Sequence, residues 1–148
     1  MSFEIGHASF SDVEWVSRLE EKLFGLKGWK RADFQEAERE GNGALFLVGR
    51  QGTQGIAYIL GQGSSGFIHL GTFGVDPLFQ KKGVGRKLLR AFLEEAKKES
   101  VSLLTLEVRA SNQGAIHLYE SEGWKCVGRR PTYYKGPIED GLIFNINL

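Results

Sequence analysis

A short glycine-rich segment, Gln80-x-x-Gly83-x-Gly85, has the residue types and spacing most suited to chemistry in this sequence. The apolar spacing that follows it predicts an amphipathic helix over 84–99. Backbone N–H groups at a helix start have no helical acceptors, and the peptide dipoles add partial positive charge there. Glycine has no Cβ, so the backbone can come close to phosphate oxygens. The segment therefore predicts a loop that binds a pyrophosphate.

Basic side chains surround the same loop. Those that fall within ten residues are Lys81, Lys82, Arg86, Lys87 and Arg90. Two other interpretations fit this pattern: a solvated basic face, and a tight loop that binds nothing. The Walker pattern is absent, and the Rossmann pattern lacks its third glycine because position 88 is Leu. ATP and dinucleotides are therefore disfavoured as ligands.

Three side chains could transfer protons. Glu107 lies near the end of a predicted strand, where ligand sites gather in open sheets, and it could act as a base through a water molecule. An ion pair with Arg109 or a lysine is the alternative. His69 is the competing base, or else an ordinary hydrogen-bonded histidine, and strand alternation puts it on the same face as Phe73. Tyr119 lies in a predicted helix, where its phenol (pKa ~10) could donate a proton or could simply pack in the core.

Turn residues and apolar spacing predict the elements that position these side chains. Helices are predicted over 12–24, 31–40, 84–99 and from 111 or 112 to 122. Strands are predicted over 44–50, 55–61, 67–75, 101–108, 125–129 and 142–148. Ser11 and Glu14 have the spacing of a capping box, Gly41 would end the second helix, and Cys126 would be a buried, inert thiol. The order predicts a three-layer α/β/α protein with a mixed, largely antiparallel central sheet.

The composition limits the class of protein. The chain has 148 residues, 41% of them hydrophobic and 25% charged, which predicts a single globular domain over 1–148. A net charge of +1 argues against direct nucleic-acid binding. No apolar run approaches the ~18 residues of a membrane span, and no signal peptide is recognised, so we expect a cytoplasmic protein, monomeric or weakly dimeric, without membrane contact. The three histidines and one cysteine lack metal-ligand spacing, so no metal is expected.

The glycine loop and later segments together resemble a known family. Val75-Asp76-Pro77 and Gln80-x-x-Gly83-x-Gly85 resemble the acetyl-CoA motif of GNAT N-acetyltransferases. Downstream segments resemble one branch, the RimI-type ribosomal-protein alanine N-acetyltransferases, which acetylate a protein N-terminus. These segments are Leu106-Glu107-Val108-Arg109-Ala110-Ser111-Asn112, Ala115-Ile116-x-Leu118-Tyr119-Glu120-Ser121-x-Gly123 and Gly128-Arg129-Arg130-x-x-Tyr133-Tyr134. The resemblance covers residues 67–146 well and is weak over 1–66.

The resemblance implies the GNAT (acyl-CoA N-acyltransferase) fold and a role for each matching residue. Acetyl-CoA would be the cosubstrate, and the acceptor would be a protein N-terminus, with ribosomal proteins as the expected partners. Glu107 would help to deprotonate the amine, and Tyr119 would protonate the departing thiolate. Cofactor contacts are implied for Phe73, Gly74, Val75, Lys81, Lys82, Gly83, Val84, Gly85, Arg86, Asn112 and Ser121. Peptide contacts are implied for Arg129, Tyr133 and Tyr134.

Departures from the family pattern leave the acceptor open. Gly141 and Phe144 replace the usual Ala and Met, while Trp124 and Gly74 are nearly conservative changes. A small-molecule amine or a lysine side chain is therefore the alternative acceptor. A CoA-binding module without catalysis is the non-enzymatic alternative, against which the presence of both Glu107 and Tyr119 argues. The paired tyrosines could equally serve hairpin packing.

Overall fold

The computed structural model describes residues 3–39 and 43–148. It contains a seven-stranded sheet with helices on both faces. The strands are β1 (Phe3–His7), β2 (Ala44–Gln51), β3 (Gln54–Ser64), β4 (Phe67–Val75), β5 (Leu103–Arg109), β6 (Lys125–Tyr134) and β7 (Glu139–Asn147). The helices are α1 (Val13–Phe24), α2 (Arg31–Glu38), α3 (Val84–Lys98) and α4 (Gln113–Ser121). The predicted three-layer arrangement with a mixed, largely antiparallel sheet is confirmed.

The strand order β1-β2-β3-β4-β5-β7-β6 places β4 and β5 side by side in the middle of the sheet. They run parallel, whereas the other neighbouring strands of the described chain run antiparallel. Their pairing begins at Phe67 and Leu103 and ends at His69 and Thr105. Beyond that point β4 continues along β3 and β5 continues along β7, so the two strands separate and leave a V-shaped opening.

Two apolar layers cover the sheet. The layer under α3 and α4 includes Leu88, Leu89, Phe92, Leu104, Leu106, Tyr119 and Phe144. The layer under α1 and α2 includes Val13, Val16, Leu19, Phe34, Phe46, Tyr58 and Leu60. Each helix contributes residues three or four positions apart, the spacing of one helical face. Burial of these faces holds the helices on the sheet.

Several predicted boundaries differ from the structure. Strand β1 was not predicted, because it is short and lies at the sheet edge. The N-cap of α1 is Asp12, not Ser11, and the backbone N–H of Ser9 donates to its Oδ2 at 2.8 Å. Helix α2 ends at Glu38, whereas the predicted stop at Gly41 lies outside the described residues.

The last hairpin is longer than predicted. Strand β6 extends to Tyr134, so both tyrosines of the 133–134 pair lie in a strand. Most of its side chains are exposed because it is an edge strand with β7 as its only neighbour in the described sheet. The prediction of a buried thiol at Cys126 is therefore wrong: this residue is exposed, and its Sγ lies 3.6 Å from the carbonyl oxygen of Gly128.

Candidate active site

Glu107 lies at the opening between β4 and β5. Its neighbours in the alternation of β5, Leu106 and Val108, pack in the layer under α3, so Glu107 faces the side of the sheet that carries α1. Its Oε2 lies 2.6 Å from Nε2 of His69, and Tyr133 donates its hydroxyl to Oε1 at 3.3 Å. Strands β4, β5 and β6 thus meet at one carboxyl group.

A β-bulge in β4 determines which way His69 points. Leu60 pairs with Thr72 and Gly61 pairs with Leu70, so Gly71 is an extra residue. After the bulge Phe73 packs in the layer under α3, whereas His69 contacts Glu107 on the other face. The prediction that His69 and Phe73 share a face is therefore wrong, because the bulge shifts the alternation by one residue.

The ion pair with Arg109, the alternative role for Glu107, is not formed. Arg109 directs Nη1 to Oε2 of Glu139 at 3.3 Å, and its guanidinium carbon lies 4.5 Å from the ring centroid of Tyr134. Glu139 also accepts the backbone N–H of Ser111 at 2.5 Å. Arg109 therefore ties β5 to the β6–β7 hairpin and leaves Glu107 to His69 and Tyr133.

Tyr119 is buried on α4, beneath the opening. Its ring centroid lies 5.5 Å from that of Trp124 and 6.1 Å from that of Phe144. Burial, followed by the nearby Tyr134, raises the pKa of Tyr119 well above its ordinary value of 10. The phenol is therefore protonated throughout the neutral range, which is the form that can donate a proton. Packing in the core and proton donation are compatible for this residue.

The two adjacent tyrosines of β6 pack edge to face, with ring centroids 5.0 Å apart. Burial, then Tyr133 and Glu107, raises the pKa of Tyr134 to about 12. The structure thus brings Tyr133 and Tyr134 to the carboxyl group of Glu107. Arg129 instead lies on the exposed hairpin, where its Nη1 pairs with Oδ2 of Asp140 at 2.5 Å.

The glycine loop leads directly into α3. Gly83 is the N-cap with φ +82°, a backbone conformation that favours glycine, and its carbonyl accepts the N–H of Lys87 at 3.1 Å. The N–H groups of Val84 and Gly85 lie before this bond and have no acceptor within the helix. A Cβ at Gly83 would meet nothing within 4 Å, so the space beside the loop is open. Gln80 anchors the loop by donating to the carbonyl oxygen of Val75 at 2.9 Å.

Two lysines lie in the loop just before α3. Lys81 has φ +62°, and Lys82 extends its Nζ to 5.8 Å from the ring centroid of Phe79. Arg86, in contrast, points to α4: its Nη1 donates to Oγ of Ser121 at 2.8 Å and also contacts Glu122. The predicted cofactor residues Arg86 and Ser121 are thus brought together, at the contact between α3 and α4.

Glu122 was not singled out in the sequence, yet it joins these two helices. Arg90 donates from Nε to its Oε1 at 2.7 Å, and Arg86 approaches Oε2. The hydrogen bond from Arg90, then that from Arg86, lowers the pKa of Glu122 despite its burial. Asn112 is used locally as well, since its Oδ1 accepts the backbone N–H of Ala115 at 3.1 Å and caps α4.

A buried carboxyl group, Glu20 of α1, was also missed. It accepts the hydroxyls of Tyr58 and Thr72, each at 2.5 Å, and the backbone N–H of Trp29 at 2.8 Å. Burial, then Glu20, raises the pKa of Tyr58 far above its ordinary value of 10. The available signal was a glutamate in the apolar stripe of a predicted helix. Its contacts seat Trp29 over the sheet, where a Cβ at Gly71 would lie 2.5 Å from the Trp29 Cζ2 atom.

The opening is bridged on the α1 side. The segment after α1 and the turn between β6 and β7 meet where Lys27 donates its Nζ to the carbonyl oxygen of Lys135 at 2.5 Å. Leu26 and Ile138, beside this bridge, are 81% and 72% exposed. Exposed apolar side chains therefore lie on both of the segments that this hydrogen bond joins.

Among the described residues, neither a membrane-spanning helix nor a metal-binding cluster is found. No helix among residues 3–39 and 43–148 combines the length and apolar character needed to cross a membrane. Within the same residues, no cluster of three or more His, Cys, Asp or Glu side chains is arranged to hold a metal ion.

Comparison with known proteins defines the class. The family model described as Acetyltransferase (GNAT) family matches residues 10–124, and the chain belongs to that family. The prediction of an acetyl-CoA-dependent N-acetyltransferase with this fold is confirmed.

Two relatives and one solved structure indicate which branch of the family the chain resembles. The chain is 34% identical over 136 residues to the N-alpha-acetyltransferase RimI of Mycobacterium tuberculosis, covering 88% of this chain and 84% of that protein. It is 49% identical over 67 residues to the ribosomal protein bS18-alanine N-acetyltransferase of Escherichia coli, an alignment that spans 45% of this chain and 44% of that protein. The crystal structure of the Escherichia coli ribosomal-protein-S18-alanine N-acetyltransferase superposes with a TM-score of 0.89 at 30% identity, covering 99% and 94% of the two chains. The predicted resemblance to the RimI type is thereby confirmed.

Proposed function

We propose that this protein transfers the acetyl group of acetyl-CoA directly to the N-terminal α-amine of a protein, of the ribosomal-protein alanine type. The observation that carries the proposal is the position of Glu107, at the opening between β4 and β5 and on the face of the sheet that carries α1. The names of these two relatives supply the class of acceptor. We further propose a single catalytic domain that acts in the cytoplasm as a monomer or weak dimer.

The cofactor side of the opening fits a long, diphosphate-bearing molecule. The N–H groups at the start of α3, with Lys81 and Lys82 beside them, would hold the pyrophosphate. The strand edge of Phe73, Gly74 and Val75 has no partner in β5, so its backbone groups, apart from the Val75 carbonyl oxygen that accepts from Gln80, are available to the pantetheine arm and the acetyl carbonyl. When bound, acetyl-CoA supplies the activated acetyl group.

Further residues would contact the same molecule from α4. Ser121 and Asn112 lie at opposite ends of this helix and would line the arm. Arg86 would reach the pyrophosphate while its charge is shared with Glu122. Val84 and Gly85 would contribute backbone donors rather than side chains, because both precede the first hydrogen bond of α3.

Proton transfer is assigned to two residues. The α-amine of a protein has a pKa of ~7.7–8, so part of it is neutral near neutral pH and a modest base suffices. Glu107 would accept the amine proton, and help of this kind accelerates a reaction by ~10²–10⁴-fold. Tyr119, whose raised pKa keeps its phenol protonated, would give a proton to the departing thiolate. Tyr133, Tyr134 and Arg129 would line the path of the peptide.

An acceptor panel tests the proposal. The purified protein is incubated with acetyl-CoA and an alanine-initiated peptide that also contains a lysine, with the same peptide blocked at its N-terminus, and with small primary amines. Mass spectrometry of the products should locate acetylation on the free N-terminus of the first peptide, and the other acceptors should react far more slowly.

Each other outcome contradicts the proposal. Preferred acetylation of the lysine or of a small amine would assign a different acceptor. Thermal stabilisation by acetyl-CoA without turnover on any amine would indicate a binding module. The matched control is Gly83→Asp, which adds a negative side chain in an αL position at the anion loop and should abolish binding of acetyl-CoA.

A further inference from the structure

The histidine that contacts Glu107 is more open to solvent than Glu107 itself. The side chain of His69 is 45% exposed, and that of Glu107 is 12% exposed. The contact of 2.6 Å uses Nε2, which leaves the second ring nitrogen, Nδ1, on the remaining side of the ring. Across residues 3–39 and 43–148, no hydrogen bond to Nδ1 is formed. A proton acceptor is therefore available beside the carboxyl group.

The sheet holds this histidine in place. His69 is the last residue of β4 that pairs with β5, directly opposite Thr105, and Glu107 is two residues further along β5 on the same face. The imidazole consequently stands at the apex of the opening, where the two strands begin to separate. A position set by strand pairing on both sides varies little, as proton transfer to a substrate requires.

The contact also determines the tautomer. A carboxylate accepts hydrogen bonds, so Nε2 carries the hydrogen and Nδ1 carries the lone pair. A carboxylate that orients an imidazole in this way stabilises the imidazolium formed when the other nitrogen takes up a proton. The other titratable or charged groups around the pair are Tyr133 and Tyr134 of β6, Arg109 of β5 and Glu139 of β7.

We propose that His69, held by Glu107, removes the first proton from the incoming ammonium group, so that the base of this site is a histidine–glutamate pair. This inference rests on the proposed function. Nδ1 takes one proton from the ammonium and passes it to water through its exposed side. The neutral amine then forms the C–N bond while the C–S bond breaks. The nitrogen then loses its second proton to Glu107. Tyr119 gives one proton to the departing thiolate, and the proton held by Glu107 returns to Tyr119 through solvent.

Two substitutions separate proton uptake from mere positioning. In His69→Gln, the side-chain amide can donate to Glu107 as Nε2 does, but nothing replaces the Nδ1 base. In His69→Ala, both are lost. If His69 only orients Glu107, His69→Gln retains activity. If Nδ1 takes up the proton, both variants can use only the fraction of the amine that is already neutral, roughly a tenth at pH 7, and lose about tenfold in kcat/KM. His117→Ala, on an exposed face of α4, is the matched control and should retain the parent rate.

The pH dependence gives a second readout. Above the α-amine pKa of ~7.7–8 the acceptor is already neutral, so the deficit of His69→Gln should shrink as the pH is raised through this range. Added imidazole should restore part of the activity of His69→Ala. A peptide with an aminooxy group in place of its N-terminal amine is neutral without a base, and parent and variants should acetylate it at similar rates.

Failure of the proposed function and failure of the role of His69 would give different results. Absence of N-terminal acetylation by the parent protein would overturn the proposed function. Normal activity of the parent together with an equally active His69→Gln at neutral pH would overturn the role of His69 alone. Unfolding and acetyl-CoA affinity of each variant are measured in parallel and should match the parent, because the His69 side chain is exposed.

Discussion

Two glutamates on the α1 side of the sheet have opposite surroundings. Glu20 is 2% exposed, and its partners are two hydroxyls and one backbone N–H, all of which donate to it. Glu107 retains contact with solvent, and its closest partner is an imidazole, which can take up a proton. A carboxyl group surrounded by fixed donors holds structure, whereas one beside a titratable ring can exchange protons.

Replacing the solvent-linked carboxyl group should have the largest effect. In Glu107→Gln the shape is retained but the proton acceptor is lost, so we expect kcat to fall by about 10²–10⁴-fold. Steady-state kinetics with the alanine-initiated peptide measures this loss. The midpoint of urea unfolding and the Kd for acetyl-CoA should remain close to those of the parent; a variant with unchanged kcat would remove Glu107 from the mechanism.

Replacing the enclosed carboxyl group should lower stability instead. Glu20→Ala leaves two buried hydroxyls and one partly buried N–H group without their acceptor, and we expect the free energy of unfolding to fall by roughly 3–5 kcal/mol. Urea unfolding followed by tryptophan fluorescence measures the change. Glu20→Gln keeps the volume and serves as the isosteric control, with a smaller loss. A fully stable Glu20→Ala protein would contradict the structural role.

The same network can be disturbed from β4. A Cβ at Gly74 would lie 2.5 Å from the hydroxyl oxygen of Tyr58 and 2.6 Å from Cδ1 of Leu23. We expect Gly74→Ala to destabilise the fold by about 1–3 kcal/mol, because Tyr58 must move away from Glu20. In a double-mutant cycle, Glu20→Ala and Gly74→Ala should be less than additive, since each disturbs the same contact. Full additivity would show that the two positions are independent.

Asp12 supplies a third carboxyl group for the comparison, with a smaller effect. Burial would raise its pKa, but hydrogen bonds from the Ser9 backbone, Trp15 and Arg50 outweigh this, and the pKa lies below its ordinary value of 3.8. A lowered folded pKa gives stability that is present above the ordinary value and is lost as the pH falls through the folded value.

Asp12→Asn should therefore be less stable than the parent by about 1 kcal/mol at neutral pH. The difference should shrink once the pH falls below the ordinary pKa of 3.8. Urea unfolding at a series of pH values measures this convergence. A difference that grows on acidification would reverse the sign of the argument.

Local patterns were sufficient to predict the loop and helix to which the cofactor contacts are assigned. Glycine spacing, a basic cluster and an amphipathic helix are contiguous in the chain, and they predict the start of α3 correctly. The resemblance to the family added Glu107 and Tyr119. The roles of these residues stay predictions, to be tested by the variants above.

Tertiary features account for what could not be predicted. The bulge at Gly71 depends on the pairing of β4 with β3, and it alone reverses the direction expected for Phe73 relative to His69. The hydroxyl partners of Glu20 and the guanidinium partners of Glu122 come from segments more than thirty residues away in the chain, so no local pattern indicates them. Edge position, likewise a property of the assembled sheet, explains the exposed thiol of Cys126.

The carboxyl group of Glu122 has a mechanical consequence. Glu122 follows the last residue of α4 and forms ion pairs with Arg86 and Arg90, which lie one helical turn apart on α3. Neither helix can roll or slide along the other without breaking an ion pair. These ion pairs therefore constrain the separation between the amides that open α3 and the phenol carried by α4, the two groups to which the proposed function assigns the ends of the cofactor.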